Sequence, residues 1–198
     1  MDILSSLTTK QRNRLINKSF NNNEIIFREL EKCVSIGVIV KGQVIINSYL
    51  ENGKEVIYNT LKENDIFGNN LIFSNDNRYK GNVISKGNSE IVFLNRHDLL
   101  NVLMNNKTFL INYLNIQSNF SKTLNNNIKL LSLSSAEDRL FYYLHTNNNV
   151  IEYDSISSLS KTLFLERETL SRLISKLSKE KRITKDKKTI RKYNDIED

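Results

Sequence analysis

Apolar residues change their period along the chain, and the regimes predict different parts. From Ile36 to Ile46 the sequence is rich in Val and Ile, with Gly37 and Gly42 inside the run, and Val56 to Leu61 follows the turn signal Glu51-Asn52-Gly53-Lys54. The Asn-Gly pair predicts a hairpin turn, because both residues tolerate positive φ. Lys62-Glu63-Asn64-Asp65 predicts another turn before Ile66-Phe67-Gly68, while Val83-Ile84 and Ile91-Val92-Phe93-Leu94 predict further short strands. Many short strands joined by turns suggest a jelly roll or barrel.

From Phe109 to Leu131 the period becomes helical. Leu110, Leu114, Leu124, Ile128 and Leu131 fall on one side, and Phe109, Tyr113, Ile116 and Phe120 on another. Two apolar stripes imply two packing partners, such as the β region and a second subunit; an ordinary buried helix gives the same pattern. Gln117 and Ser121 interrupt the first stripe, so a strict leucine zipper is not supported.

The last third is helical and ends in a β signal. Ser134-Ser135 can cap a helix from Glu137 to Leu144, and Ser155 a short helix with Ile156, Leu159 and Leu163 inward. A further helix runs from Glu166 to Glu180, and Arg182-Ile183-Thr184 with Thr189-Ile190-Arg191 predicts a small hairpin around Asp186-Lys187. The tight turn Leu163-Phe164-Leu165 between two helices suggests a helix-turn-helix, and the hairpin makes it a winged one. At about 100° per residue, Leu170, Leu173, Ile174 and Leu177 fall in one arc about 100° wide, while Arg167, Glu168, Ser171, Arg172, Ser175 and Lys179 occupy a separate arc of about 140°.

That polar arc carries chemistry suited to DNA. Arg can donate twice to guanine O6 and N7, and Glu can accept from cytosine N4. Thr169, Ser171, Lys176 and Lys179 are candidates for phosphate contacts, which position without specifying, and the wing, Lys185 to Lys192 with Lys187 and Lys188 at its tip, would reach the backbone or a minor groove. A solvated amphipathic helix with Glu168 and Arg172 paired four apart is the plainer alternative.

Charge favours a polyanionic partner. The 198-residue chain carries a formal net charge of +7, and its pI is about 9.4. From Lys161 to Lys192, 12 Lys and Arg face 4 acids, so the excess is concentrated in the last third. A basic solvated face would give the same count.

Other classes are constrained by what is scarce. No run of about 18 apolar residues exists to span a membrane. Met1-Asp2-Ile3-Leu4-Ser5 lacks the pattern of a secretory signal. Cys33 is the sole cysteine, so no intrachain disulfide, zinc ribbon or iron–sulfur cluster is expected, and a cytoplasmic location is the simple reading. His97 and His145 are the two histidines, and neither stands in a ligand-like cluster, so no haem, metal or other cofactor is expected. Cys33 could sense redox state, but a buried, unreactive thiol is the plainer reading. Abundant Asn and the absence of Pro suit an AT-rich genome.

The segment from Ser155 to Ile183 closely resembles the winged helix of the catabolite activator (CRP/FNR) family of bacterial transcription regulators, including its Arg-Glu-Thr-(Val/Leu)-x-Arg core. Ile39-Val40-Lys41-Gly42-Gln43-Val44, Gly53-Lys54-Glu55 and Asn64-Asp65-Ile66-Phe67-Gly68 resemble the spaced glycines of that family's cyclic-nucleotide-binding β roll. The resemblance covers nearly the whole chain in the family's order. It implies an α+β architecture: an N-terminal jelly roll over 1–104 as sensor, a dimerisation helix over 105–131 carrying Leu110, Leu114, Leu124, Ile128 and Leu131, and a DNA-binding winged helix over 132–198.

The resemblance also implies roles. Arg167, Glu168 and Arg172 would read bases in half-sites similar to the family's TGTGA type, arranged as an inverted repeat bound by a homodimer. Ser155 and Thr169 match positions that usually touch phosphate. Glu166 departs from the family's usual Ser or Thr cap, and Glu is a poorer N-cap although its charge suits a helix N-terminus. The effector site departs further. In cAMP-binding members the turn is followed by Gly-Glu-Leu and, about ten residues on, by Arg-Ser; the Glu holds the ribose and the Arg neutralises the phosphate. Here Gly68 precedes Asn69-Asn70-Leu71, and the Arg-Ser pair aligns with Tyr79-Lys80, with Arg78 one residue away. A one-residue offset in extended chain aims a side chain to the opposite face, so the expected effector is not cAMP. Another small molecule contacting Gly68, Asn69, Asn70, Tyr79 and Lys80, or control by abundance alone, remains open.

The expected function is therefore a non-enzymatic transcription regulator whose partners are double-stranded DNA and a second copy of itself. RNA polymerase would be a further partner of an activator, although no motif identifies the contact surface. An effector-binding or protein-interaction module whose helix-turn-helix does not read DNA is the alternative. A cupin-like enzyme is disfavoured because the two histidines form no His-x-His pair.

Overall fold

The structure is a computed structural model that describes residues 2–193; Met1 and residues 194–198, the outer ends of the expected first and last domains, lie outside the described residues. The chain divides into two compact units, Met1–Asn119 and Phe120–Asp198. That boundary falls inside the long helix, whereas the sequence suggested breaks at each of its ends.

The first unit opens with a 3-10 turn, Ile3–Ser6, and a short helix α1, Thr9–Arg12, closed by a reciprocal Thr8–Gln11 capping box. Six strands follow: β1 Ile16–Phe20, β2 Ile25–Phe27, β3 Ser35–Tyr49, β4 Glu55–Leu61, β5 Ile66–Phe67 and β6 Asn82–Asn95. All pairings are antiparallel. β6 is central, with β3 on one side and β1 and β2 on the other, and β4 and β5 add to β3.

Three details differ from the sequence expectation. The two short strands expected around Val83 and Ile91 are one strand, β6. Its pairing with β3 jumps from Lys41↔Glu90 to Gln43↔Lys86, so the turn-like residues between form a bulge, with Gly87 at φ 77°. Ser85 Oγ donates to Gly87 O, Ser89 Oγ to Gln43 O of β3, and Gly87 N to Asn22 Oδ1, which satisfies the polar groups of the bulge. Second, only Gly53 of the Asn-Gly pair takes positive φ, because the connection is a five-residue loop in which Asn52 Oδ1 accepts from Lys54 N. Third, β1 and β2 were not foreseen; Ile-Asn-Lys-Ser-Phe offers little apolar alternation to detect.

Helix α2, Arg96–Asn105, is capped by Asn95 and buries Leu99 and Val102. Helix α3 runs from Lys107 to Ser132. Its Phe109 and Tyr113, with Ile116 beside them, belong to the core of the β unit, so the second apolar stripe has its partner there. Phe120 of that stripe is exposed.

The second unit contains α4 Ala136–Thr146, β7 Val150–Glu152, α5 Ile156–Thr162, α6 Arg167–Lys179, β8 Ile183–Asp186 and β9 Thr189–Lys192. Its sheet has the order β7-β9-β8, so the expected hairpin gains a third strand. Leu130, Leu140, Leu144, Ile151, Leu159, Leu163, Leu170, Ile174, Leu177, Ile183 and Ile190 form its own core. At roughly 1.5–3 kcal/mol per buried aliphatic side chain, that core is the force fixing α6. Among the described residues, no helix is long and apolar enough to cross a membrane.

Candidate nucleic-acid interface

Helix α5 is started by Ser155, whose Oγ accepts from Ser158 N at 3.0 Å while Ser158 Oγ engages the Ser155 backbone. The chain then turns through Leu163 and Phe164, the latter at φ 53°. A non-glycine residue there costs about 1–2 kcal/mol, so the turn must be held by its surroundings. Leu165 N donates to Ser160 O at 2.9 Å, and Arg139 Nη1 to Phe164 O at 2.8 Å. Helix α6 begins at Arg167 after Glu166, which makes no side-chain cap bond. The departure from a Ser or Thr cap thus leaves first-turn N–H groups uncapped by the chain, next to where a phosphate could accept.

The two arcs of α6 are distinct. Leu170, Ile174 and Leu177 are buried, and Leu173 is partly buried. Arg167, Glu168, Thr169, Ser171, Arg172, Ser175, Lys176 and Lys179 are exposed. Glu168 Oε2 and Arg172 Nη2 lie 3.4 Å apart, one turn from each other. Lys176 faces Glu180 at 3.9 Å. Ser175 Oγ is turned back onto Ser171 O. Among the described residues, Arg167 and Lys179 have no such acidic partner.

The wing follows directly. Lys187 and Lys188 form the turn between β8 and β9 and are exposed. Arg182, at the foot of the wing, reaches Glu137 of α4 and stacks over Phe141 at 4.8 Å. The wing is thereby fixed to the same core as α6.

The expected effector residues separate. Gly68 lies at φ 78°, where an added Cβ would stand 2.9 Å from Ser35 O and 3.0 Å from Cys33 Sγ. Asn69 is buried, and Asn70 is exposed. Asn69 Nδ2 donates to Gln117 Oε1 at 2.6 Å, while Asn69 O accepts from Gln117 Nε2 and from Tyr113 Oη, both at 2.9 Å. Burial, then the neighbouring Cys33, pushes the Tyr113 phenol up to about 12, so it remains a donor at neutral pH. Gln117, which interrupts the leucine stripe, therefore serves the β unit.

Tyr79 and Lys80 point to opposite environments. Lys80 is exposed and pairs with Asp76 at 2.5 Å, which holds that carboxyl below its usual range. Tyr79 is 3% exposed and stacks on Phe27 at 4.8 Å and 14°. Phe27 in turn meets Phe67 and Phe93 edge-on, and Phe20 meets Phe93. An aromatic cluster thus occupies the interior beside the turn. Tyr79 Oη has no partner in hydrogen-bond geometry. Burial raises the pKa of its polar neighbour Cys33, whose Sγ donates to Ser35 O and Gly68 O. Among the described residues, no group of three or more His, Cys, Asp or Glu is arranged to hold a metal ion.

This arrangement, a β roll followed by a long helix and a winged helix, is a known combination. Residues 17–106 match the cyclic nucleotide-binding domain family. The chain is similar to a CooA mutant from Carboxydothermus hydrogenoformans, at 14% identity and a TM-score of 0.70, covering 98% of this chain and 91% of that one. It is similar to CprK in complex with OCPA, at 15% identity and a TM-score of 0.71, covering 98% and 90%. It is also similar to the Catabolite Activator Protein of Thermus thermophilus, at 16% identity and a TM-score of 0.57, covering 97% and 93%. No curated protein sequence matches the chain. The chain therefore matches the cyclic nucleotide-binding domain family over residues 17–106 and shares its fold with these regulators.

Proposed function

We propose that the chain is a sequence-specific DNA-binding transcription regulator that reads an inverted-repeat operator as a homodimer, with α6 in the major groove and an effector other than cAMP. The observation that carries this reading is the division of α6 into a buried aliphatic face and an exposed face bearing Arg167, Glu168 and Arg172, beside a basic wing. Arg167, Glu168 and Arg172 read base edges. Thr169, Ser171, Lys176 and Lys179 hold phosphates with Ser155, Lys187 and Lys188. It acts as a binding protein rather than an enzyme, in the cytoplasm, where a free buried Cys33 suits a reducing environment.

The second copy is supported by α3. Leu114, Leu124, Ile128 and Leu131 remain between 50% and 56% exposed. Leu110, Leu124 and Leu131 fall at multiples of seven, as do Leu114 and Ile128, which is the spacing of a helix seam that pairs with itself. A symmetric dimer would present two α6 helices to successive major grooves about 34 Å apart. RNA polymerase would be the further partner of an activator.

The reading against cAMP is supported by the residues that replace its contacts: an amide clamped onto Gln117 where an acid would hold ribose, and a buried, stacked Tyr79 where a cation would meet phosphate. A different small molecule meeting Asn70 or Lys80, or regulation by abundance, is compatible with the same geometry. The test is a gel shift across a salt series on inverted-repeat and scrambled duplexes, with calorimetry against cAMP. Preference for the inverted repeat and no cAMP heat are expected. Equal affinity for both duplexes would favour a protein-interaction module, and micromolar cAMP binding would remove the effector reading.

A further inference from the structure

Helix α6 can read bases only if its first turn is held in place, yet its N-cap makes no side-chain bond. Glu166 caps nothing with its side chain, and the chain before it passes through Phe164 in the left-handed region, unfavourable for a bulky residue. Besides the backbone bond from Leu165 N to Ser160 O, the turn is held by a side chain at the carbonyl of Phe164, two residues before the N-cap. That carbonyl accepts from Arg139 Nη1 at 2.8 Å. The same guanidinium donates from Nε to Leu133 O at 3.1 Å, in the link between α3 and α4. Arg139 itself rises from α4, whose Leu140 and Leu144 lie in the core beneath α6.

We propose that Arg139 is a positioning residue for DNA reading: its rigid two-pronged donor ties the helix-turn-helix turn to the link that follows α3, and so sets where Arg167 and Glu168 stand. This rests on the reading of α6 as the DNA-reading helix. Three features fit the role. The guanidinium presents its donors in a fixed planar fork, so both carbonyls are held at once. The two carbonyls are 31 positions apart in sequence and belong to irregular segments, where no ladder fixes them. Both hydrogen bonds of the side chain go to backbone carbonyls outside α6, so its effect on reading runs through geometry. A functional group displaced by more than about 0.5 Å loses its productive contact. Phosphate contacts made by flexible lysines tolerate such a shift.

The test uses the full chain, an operator duplex selected by the wild-type chain from a randomised pool, and a scrambled duplex of equal composition. For Arg139→Met, the ratio of operator to scrambled affinity is expected to fall by about tenfold or more, the loss of one base contact. Affinity for the scrambled duplex and its salt slope should stay within about twofold, because the charges that meet phosphate are untouched. Arg139→Lys, which keeps the charge and reaches one carbonyl, should retain an intermediate ratio and covers the case in which the Met variant fails to fold. A ratio unchanged in either folded variant, or equal losses on both duplexes, overturns the inference while DNA reading stands. A wild-type chain without preference for any duplex overturns DNA reading and the inference with it.

Discussion

Replacing Tyr79 by Phe should stabilise the β unit, although it removes a polar group from the region expected to meet an effector. The Tyr79 ring is 3% exposed and stacked on Phe27, and Phe keeps that contact. What disappears is a buried hydroxyl whose polar neighbour, the Cys33 sulfur, stands outside good hydrogen-bond geometry. Leaving such a group unsatisfied costs about 1–3 kcal/mol. The void left by one oxygen, about 10 Å³, returns only about 0.2 kcal/mol of that. The net expectation is about 1 kcal/mol of added stability. Cys33 makes the assay local, because the sole thiol is buried in this unit and reacts with a disulfide reagent only when the unit opens. Labelling of the variant should be about fivefold slower under native conditions, and its urea midpoint should rise with no change in slope. Faster labelling or a lower midpoint would mean that the hydroxyl has a stabilising partner, and that the site is a polar receptor rather than a filled interior.

Other residues give separable outcomes. Arg167→Ala or Glu168→Ala should cost about 1–3 kcal/mol on cognate DNA and relax preference at one base pair, whereas Lys179→Ala should weaken all duplexes alike and reduce the salt slope by about one; identical behaviour of the three would refute the roles assigned. Leu124→Glu with Ile128→Glu places four carboxylates in a symmetric seam, so sedimentation should show a monomer, with affinity for a full operator falling far more than for a half-site; a persistent dimer would exclude this face. Arg14 lies 2.7 Å from Asp98 and is the main cause of that carboxyl's lowered pKa. A depressed folded pKa contributes stability above the ordinary carboxylate range and loses it as pH falls through the folded value. Arg14→Met should therefore cost about 0.5 kcal/mol at pH 7 and progressively less below pH 4. A pH-independent difference in urea midpoint would contradict that origin.

The sequence revealed what depends on short-range periodicity. The α6 arcs, the tight turn at Leu163-Phe164-Leu165 and the Ser155 cap were legible because each is encoded within one or two helical turns. β1 stayed hidden because its side chains are largely exposed, so burial imposed no alternation. β6 was split in two because a glycine inside a bulge has the composition of a turn. The site was legible unevenly. The charged face of α6 is a local pattern, whereas the clamp of Gln117 on Asn69 joins residues 48 apart. In the sequence, Gln117 was only a gap in a leucine stripe. Arg139 gave no signal at all, since an Arg in an amphipathic helix suits a solvated face equally well.

If α6 reads DNA as proposed, local pairing on it also bears on how it could discriminate. Glu168 and Arg172 are paired at 3.4 Å, with side chains 85% and 84% exposed. Such a pair is worth only about 0.3–0.5 kcal/mol, against about 1–3 kcal/mol for a good base contact. Docking can therefore exchange the pair for base edges at little cost. On a wrong sequence the pair can remain, and neither residue is left as an uncompensated buried charge. The exchange then yields discrimination mainly through the gain on the right sequence. On the proposed DNA-reading role, stronger rejection of wrong sequences would come from Arg167, which lacks an acidic partner among the described residues and would lose its hydration on docking without a local substitute.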